Sequence, residues 1–220
     1  MRFVKVDSPL PAATIIAQAI SAHLNQHRTV LWLVSGGSAI DVAVTARKQL
    51  TGNLNHLTVM LMDERYGPPG HPESNWQKLL DAGFDMNGLH SYPTLTGKDM
   101  DKTTQDFSEA FSQAVQQASF TIGLFGIGPD GHTAGILPES PAVSSQKIVA
   151  AYNGPDFQRI TIAPAAFTEI DEALVYAMGE QKRAALEDLH TEKPISEQPA
   201  QLLKRIPSVT IFNNLMEDEI

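Results

Sequence analysis

Cysteine is absent from this 220-residue sequence. Its absence excludes disulfide bonds, thiolate nucleophiles and cysteine metal sites, and it agrees with a reducing compartment. Long apolar runs are also missing, because stretches such as 30–34 fall far short of the roughly 20 residues that cross a bilayer. Residues 1–7 alternate charged and apolar side chains and lack the apolar core of a signal peptide. We therefore expect a cytoplasmic protein that does not enter a membrane.

Positive charge is scarce as well. The 16 Lys and Arg residues are outnumbered by 25 Asp and Glu residues, which gives a formal net charge of −9. Such a surface repels polyanions, so we expect no nucleic-acid or anionic-membrane partner, and an anionic small molecule would need a locally positive pocket. A hydrophobic fraction of 42% with 19% charged residues is typical of a folded chain. The length predicts one domain over residues 1–220.

Short apolar runs alternate with segments of helical spacing along most of the chain. Strands are predicted at 3–4, 29–34, 57–62, 120–127, 148–151, 159–162, 173–177 and 208–212, and helices at 10–24, 38–50, 74–80, 103–118 and 181–189. Parallel strands need a crossover that a helix supplies, so this alternation predicts an α/β fold with a largely parallel sheet. Residues 191–200, rich in Lys, Glu and Pro, are predicted to form a solvated connection.

Three unusual loops directly follow predicted strands, at 35–38, 63–65 and 126–132. In open parallel sheets, ligands bind beyond the carboxyl ends of the strands. The convergence of the three loops on one edge therefore predicts a binding or catalytic site there.

The first of these loops contains Gly36, Gly37 and Ser38. Two glycines let the backbone approach an anion closely, Ser38 can cap the following helix, and the free N–H groups of that helix favour negative charge. The loop could form a phosphate cradle or an ordinary turn from strand to helix. It is neither a P-loop nor a dinucleotide fingerprint, because the residues that complete those motifs are missing.

The second loop places two carboxylates and a guanidinium at a strand end. Successive side chains of an extended chain point to opposite sides, which places Asp63 and Arg65 on one side and Glu64 on the other. A base and an anion-stabilising cation can therefore face one cleft. Taken alone, a charge cluster this short is more often a solvated turn.

The third loop is more specific, because its glycines deliver Asp130 and His132 to a strand end. A histidine there can serve as a general base oriented by a nearby carboxylate, and this loop context favours that role over a core or capping histidine. Arg159 and Lys182 lie at predicted element edges, where a solvated surface role is the default interpretation. No Gly-x-Ser-x-Gly motif is present, which argues against an acyl-serine hydrolase.

Together the three loops resemble those of the glucosamine-6-phosphate isomerase/6-phosphogluconolactonase family, and within it the lactonase branch. The resemblance rests on Gly36-Gly37-Ser38, on Asp63-Glu64-Arg65 followed by Ser74-Asn75, and on the run from Gly126 to Ala134 with Pro138. Later elements, Arg159-Ile160-Thr161 and Gly179-Glu180-Gln181-Lys182, also resemble the family, so the likeness spans about 31–189.

The resemblance implies a Rossmann-like α/β fold with helices on both faces of the sheet. It implies hydrolysis of 6-phospho-D-glucono-1,5-lactone in the oxidative pentose phosphate pathway, with a sugar phosphate as the small-molecule partner and with no metal or nucleotide cofactor. We expect a monomer or a small homo-oligomer. The site residues that the resemblance implies are Gly36, Gly37, Ser38, Arg159 and Lys182 for the 6-phosphate, His132 as the general base, Arg65 for the substrate or oxyanion, and Asp63 and Asp130 to order the site.

Two departures from the family pattern keep alternatives open. Ala39-Ile40 stand where family members usually have Thr-Pro, and His71-Pro72-Glu73-Ser74 resembles the deaminase branch. In the third loop, however, Leu137 stands immediately before Pro138, at the position where the pattern of the deaminase branch has a glutamate. A deaminase of aminosugar phosphates and a non-catalytic sugar-phosphate binding protein therefore remain alternatives to the lactonase.

Overall fold

The computed structural model of the protein describes residues 1–217. Its strands are β1 (Arg2–Lys5), β2 (Val30–Val34), β3 (Leu57–Leu61), β4 (Asp63–Arg65), β5 (His90–Tyr92), β6 (Phe120–Phe125), β7 (Val149–Asn153), β8 (Gln158–Ile162), β9 (Glu172–Ala177) and β10 (Ser208–Asn213). Its α-helices are α1 (Leu10–Leu24), α2 (Ala39–Gln49), α3 (Asn75–Asp81), α4 (Met100–Gln117) and α5 (Arg183–Glu187). Short 3₁₀ turns at Pro164–Glu169, Glu180–Lys182, Asp188–His190 and Pro199–Arg205 complete the pattern.

Seven strands form the main sheet, in the order β1-β10-β9-β6-β2-β3-β5. Every pair of neighbours in this sheet is parallel. The parallel α/β fold predicted from the sequence is therefore confirmed. Because β6, β2 and β3 are adjacent, the three loops that follow them emerge side by side at one edge.

The main sheet is buried on both faces, which explains why its central strands are apolar throughout. In β2, Leu31 and Leu33 face a core that includes Phe107 and Phe111 of α4. Val30, Trp32 and Val34 face a second core formed with α1 and α2. Helices therefore cover both faces, as expected.

A second, three-stranded sheet has the order β4-β8-β7, and both of its pairs are antiparallel. The chain passes directly from β3 into β4 through the buried Met62, so the carboxyl end of a central strand continues into the smaller sheet. The pairing of β4 with β8 places Arg65 directly opposite Arg159. This sheet thus brings a distant strand to the edge where the loops converge.

Several local predictions differ from the structure. Residues 63–65, predicted as a loop, form strand β4 because they pair with β8. The short strand β5 was not predicted, and the predicted helix over 181–189 is one turn of α-helix between two 3₁₀ turns. The prediction that 191–200 forms a solvated connection is wrong at its end, where Gln198 and Ala200 are buried. Gln198 Nε2 donates to the carbonyl of Ala185 at 2.6 Å, and the amide of Ala200 donates to the carbonyl of Gly131 at 2.9 Å. Contact with the third loop therefore buries the end of a segment whose composition alone predicts exposure to solvent.

Across residues 1–217, the helices are too short or too polar to cross a membrane.

Candidate active site

The three loops enclose a cleft with a volume of about 220 Å³ at the carboxyl ends of β2, β3 and β6. Eight of the nine residues predicted for the site line this cleft: Gly36, Gly37, Ser38, Asp63, Arg65, His132, Arg159 and Lys182. The ninth, Asp130, lies outside the lining and contacts His132. The structure therefore brings together residues from five separate segments of the chain.

His132 and Asp130 form a hydrogen-bonded pair. His132 Nδ1 lies 2.6 Å from Asp130 Oδ1, and this contact lowers the pKa of the Asp130 carboxyl. Because an ionised carboxylate accepts hydrogen bonds, a neutral imidazole in this contact carries its proton on Nδ1, which leaves the lone pair on Nε2. A β-carbon at Gly128 would collide with both His132 Nδ1 and Asp130 Oδ1, so the pair requires glycine at that position. The arrangement suits proton transfer through Nε2.

The Gly36-Gly37-Ser38 loop leads into the N-terminus of α2. Gly37 has a φ of 64°, a left-handed conformation that glycine adopts without strain. Ser38 occupies the N-cap position, but its hydroxyl makes no capping hydrogen bond to the helix. The side-chain cap suggested by the sequence is therefore not formed. The exposed helix N-terminus favours an anion in the cleft.

Three cationic side chains line the same cleft. Arg159 is buried, at 8% exposure, and its guanidinium makes no hydrogen bond or ion pair to any residue within 1–217. Lys182 likewise forms no ion pair in the described part of the chain, and burial lowers its pKa. Arg65 donates from Nη1 to the backbone carbonyl of Glu73 at 3.0 Å. A buried guanidinium without a hydrogen-bond or ion-pair partner, with two further cations beside it, indicates a site built for an anion.

Asp63 is a buried carboxylate among these cations. Its burial raises the pKa of its carboxyl, while the nearby charges of Arg65, Arg159 and His132 act in the opposite direction. Asn75 Nδ2 donates to Asp63 Oδ2 at 3.1 Å and to the Asp63 carbonyl at 3.0 Å. Asp63 is thus held in place and balances part of the positive charge.

Asn75 is a cleft residue that the sequence analysis did not assign to the site. It is 1% exposed, and a β-carbon at Gly36 would collide with its side-chain amide. Its Oδ1 is buried and has no hydrogen-bond partner within 1–217. The available sequence signal was its position after Ser74, which caps α3 by accepting from the amide of Gln77 at 3.1 Å.

Glu64 lies on the opposite side of β4, as strand alternation predicts, and it binds the start of α3. Its Oε1 accepts from the amides of Arg65 at 2.7 Å and Asn75 at 2.6 Å. Its Oε2 accepts from the Ser74 hydroxyl at 2.9 Å and the Trp76 amide at 3.0 Å. Burial raises the pKa of this carboxyl, while the four donors favour its ionised form. Glu64 therefore connects the Asp63–Arg65 strand to the helix that supplies Asn75.

Across residues 1–217, the structure contains no group of three or more His, Asp or Glu side chains spaced to hold a metal ion. The arrangement described above consists of a histidine, an acidic partner, three cations and a helix N-terminus.

Comparison with known proteins identifies the family. A sequence model of the glucosamine-6-phosphate isomerases/6-phosphogluconolactonase family matches residues 10–211. The chain belongs to this family. It is 27% identical over 206 residues to a 6-phosphogluconolactonase of Borreliella burgdorferi, covering 87% of this chain and 86% of that protein. It is 28% identical over 189 residues to a 6-phosphogluconolactonase of Bos taurus, covering 78% and 72%.

The fold is also found in solved structures. A crystal structure of a 6-phosphogluconolactonase from Shewanella baltica superposes with a TM-score of 0.82, at 19% identity and 97% coverage of both chains. This similarity shows that the present chain and the Shewanella baltica protein share one α/β fold.

Replacing Glu64 with glutamine tests the connection between β4 and α3. Each oxygen of Glu64 accepts two hydrogen bonds, and a glutamine would place an NH₂ group against two of those buried donors. We expect Glu64→Gln to lower the free energy of unfolding by about 1–3 kcal/mol, measured by urea denaturation. Glu169→Gln, at an exposed site that forms no ion pair within residues 1–217, is the control and should change it by less than about 0.5 kcal/mol. Equal stability of Glu64→Gln and the unmodified protein would contradict this role.

Proposed function

We propose that this protein hydrolyses 6-phospho-D-glucono-1,5-lactone to 6-phospho-D-gluconate. The observation that carries the proposal is the buried guanidinium of Arg159, which has no hydrogen-bond or ion-pair partner within residues 1–217 and lies in the same cleft as His132. A phosphorylated substrate supplies the missing anion. The names of the relatives and the shared family support the choice of a sugar-phosphate lactone.

The phosphate would bind to Arg159, Lys182 and the N-terminus of α2, which all line the cleft. A guanidinium binds phosphate oxygens through a planar fork, and an ammonium binds them as a point charge. The backbone amides at Gly37 and Ser38 add donors at a helix N-terminus. These groups compensate for the net charge of −9, which would otherwise repel a phosphate dianion.

The chemistry would take place beside His132, which lines the same cleft. Nε2 removes a proton from water as the water oxygen attacks C1 of the lactone, and the carbonyl electrons move to the oxygen. Arg65 stabilises the oxyanion that forms. When the intermediate collapses, the bond from C1 to the ring oxygen breaks, and the imidazolium returns its proton to that oxygen. Asp130 holds the imidazole in the required tautomer and stabilises its charged form.

Leu137 favours hydrolysis over deamination. Release of ammonia from an aminosugar phosphate needs ring opening, proton transfer at C2 and protonation of the leaving amine, and therefore several titrating groups. Leu137 occupies the position of the glutamate expected in the deaminase branch, and its side chain cannot transfer a proton. Lactone hydrolysis requires one base and donors around one oxyanion.

Parallel assays on two substrates test the proposed reaction. We expect hydrolysis of 6-phospho-D-glucono-1,5-lactone above the spontaneous rate, which must be subtracted because the lactone opens unaided in water. We expect no ammonia release from glucosamine 6-phosphate above background. Stoichiometric release of ammonia and fructose 6-phosphate would instead establish a deaminase, and inactivity on both substrates would favour a binding protein.

Replacing His132 with asparagine tests the general base. Asparagine fills a similar space but cannot accept the proton, so we expect kcat to fall by roughly a hundredfold or more. The affinity for 6-phosphogluconate, measured by calorimetry, should change little because the phosphate contacts remain. His90→Asn, at an exposed histidine of β5 outside the cleft, serves as the control and should retain full activity. Near-normal turnover by folded His132→Asn would refute the assignment of the base.

A further inference from the structure

Arg65 and Arg159 form an unusual pair, because they lie directly opposite each other on the antiparallel strands β4 and β8. Side chains at such positions are neighbours, and like charges placed there destabilise a sheet. The Nε atoms of both arginines are buried and have no hydrogen-bond partner within 1–217. Hydrogen bonds at these Nε atoms therefore do not hold the two side chains in place.

Among residues 1–217, no carboxylate accepts a hydrogen bond from either guanidinium. The closest ion pair of Arg65 is with Glu73, at 4.0 Å, and that carboxylate lies closer to Lys78, at 2.6 Å. Asp63 acts on both arginines through space, but its Oδ2 accepts a hydrogen bond from Asn75. A carboxylate placed directly between the guanidiniums would neutralise the positive charge that attracts an anionic ligand.

The ring of Phe157 contacts both guanidiniums instead. The Cζ atom of Arg65 lies 5.5 Å from the ring centroid, and that of Arg159 lies 6.0 Å from it. Both distances fall within the range in which the negative face of an aromatic ring attracts a cation. The ring thus stabilises two positive charges without adding a negative one.

The hairpin between β7 and β8 fixes the position of this ring. The amide of Gly154 donates to the carbonyl of Phe157 at 2.9 Å, and Gln158 Nε2 donates to Asn153 Oδ1 at 2.8 Å. A β-carbon at Gly154 would lie 3.1 Å from Arg159 Nε, so the turn closes tightly over that arginine. Phe157 itself is half-buried at the end of the turn.

We propose that Phe157 is a positioning residue, whose ring holds Arg65 and Arg159 toward the cleft and thereby sets the affinity for the phosphorylated ligand. This inference rests on the proposed function for the identity of that ligand. Phe157 lies outside the cleft lining, so its role in anion binding is indirect and acts through the two arginines.

The test measures binding of inorganic phosphate by calorimetry in variants at position 157. Phe157→Leu and Phe157→Met keep an apolar side chain but remove the ring, and we expect each to weaken phosphate binding by about fivefold to twentyfold. Phe157→Tyr and Phe157→Trp keep an aromatic face and should bind within about twofold of the unmodified protein. Pro155→Ala, at an exposed position in the same turn, is the matched control and should bind phosphate normally.

A double-mutant cycle separates positioning from simple packing. In an Arg159→Met background, Phe157→Leu should have a smaller effect on phosphate binding than in the unmodified background, because one of its two cationic partners is gone. Equal effects in both backgrounds, or loss of binding in the aromatic variants as well, would overturn the proposal. So would unchanged phosphate affinity in Phe157→Leu and Phe157→Met, or no phosphate binding by the unmodified protein.

The lactone assay distinguishes failure of the role proposed for Phe157 from failure of the proposed reaction. Lactone hydrolysis together with normal phosphate affinity in Phe157→Leu would reject the role of Phe157 alone. Weakened phosphate binding in that variant, in a protein that does not hydrolyse the lactone, would support the role of Phe157 and reject the reaction.

Discussion

The buried charge of Arg159 is the constraint on which the rest of the site depends. Removing a guanidinium from water without a paired carboxylate is costly, and proteins normally avoid it. Here the cost is reduced by the through-space attraction of Asp63 and by the ring of Phe157. Neither neighbour occupies the hydrogen-bonding positions of the guanidinium. The arginine therefore remains able to bind an anion that enters the cleft.

The two sheets have different tasks in building this arrangement. The main sheet places β6, β2 and β3 side by side. The third loop (126–132), the first loop (35–38) and the start of β4 therefore converge at one edge. The smaller sheet adds Arg159, which reaches this edge through the pairing of β8 with β4. Glu64 connects β4 to α3, so Asp63, Arg65 and Asn75 are positioned as a unit. In our account, a parallel sheet provides the base and the phosphate cradle, and an antiparallel one provides the arginines.

The sequence predicted the parallel sheet and the convergence of the loops because both follow from local signals. Apolar periodicity marks strands and helices, and the Gly-rich run before His132 marks a strand end. The pairing of β4 with β8 was not predictable in this way, since it joins segments far apart in the chain. For the same reason, residue-level interpretation assigned Arg159 and Lys182 to the surface, and family resemblance was needed to place them in the site. Asn75 was missed because its burial against Gly36 is a tertiary contact.

We propose that a phosphate binds between Arg159, Lys182 and the N-terminus of α2 while C1 of the sugar acid lies beside His132. A crystal structure of the protein with bound 6-phosphogluconate would show whether the ligand adopts this position. We expect phosphate oxygens within hydrogen-bond distance of Arg159 and Lys182, and the C1 carboxylate next to His132 Nε2. A ligand bound with its phosphate away from both cations, or bound outside this cleft, would contradict it.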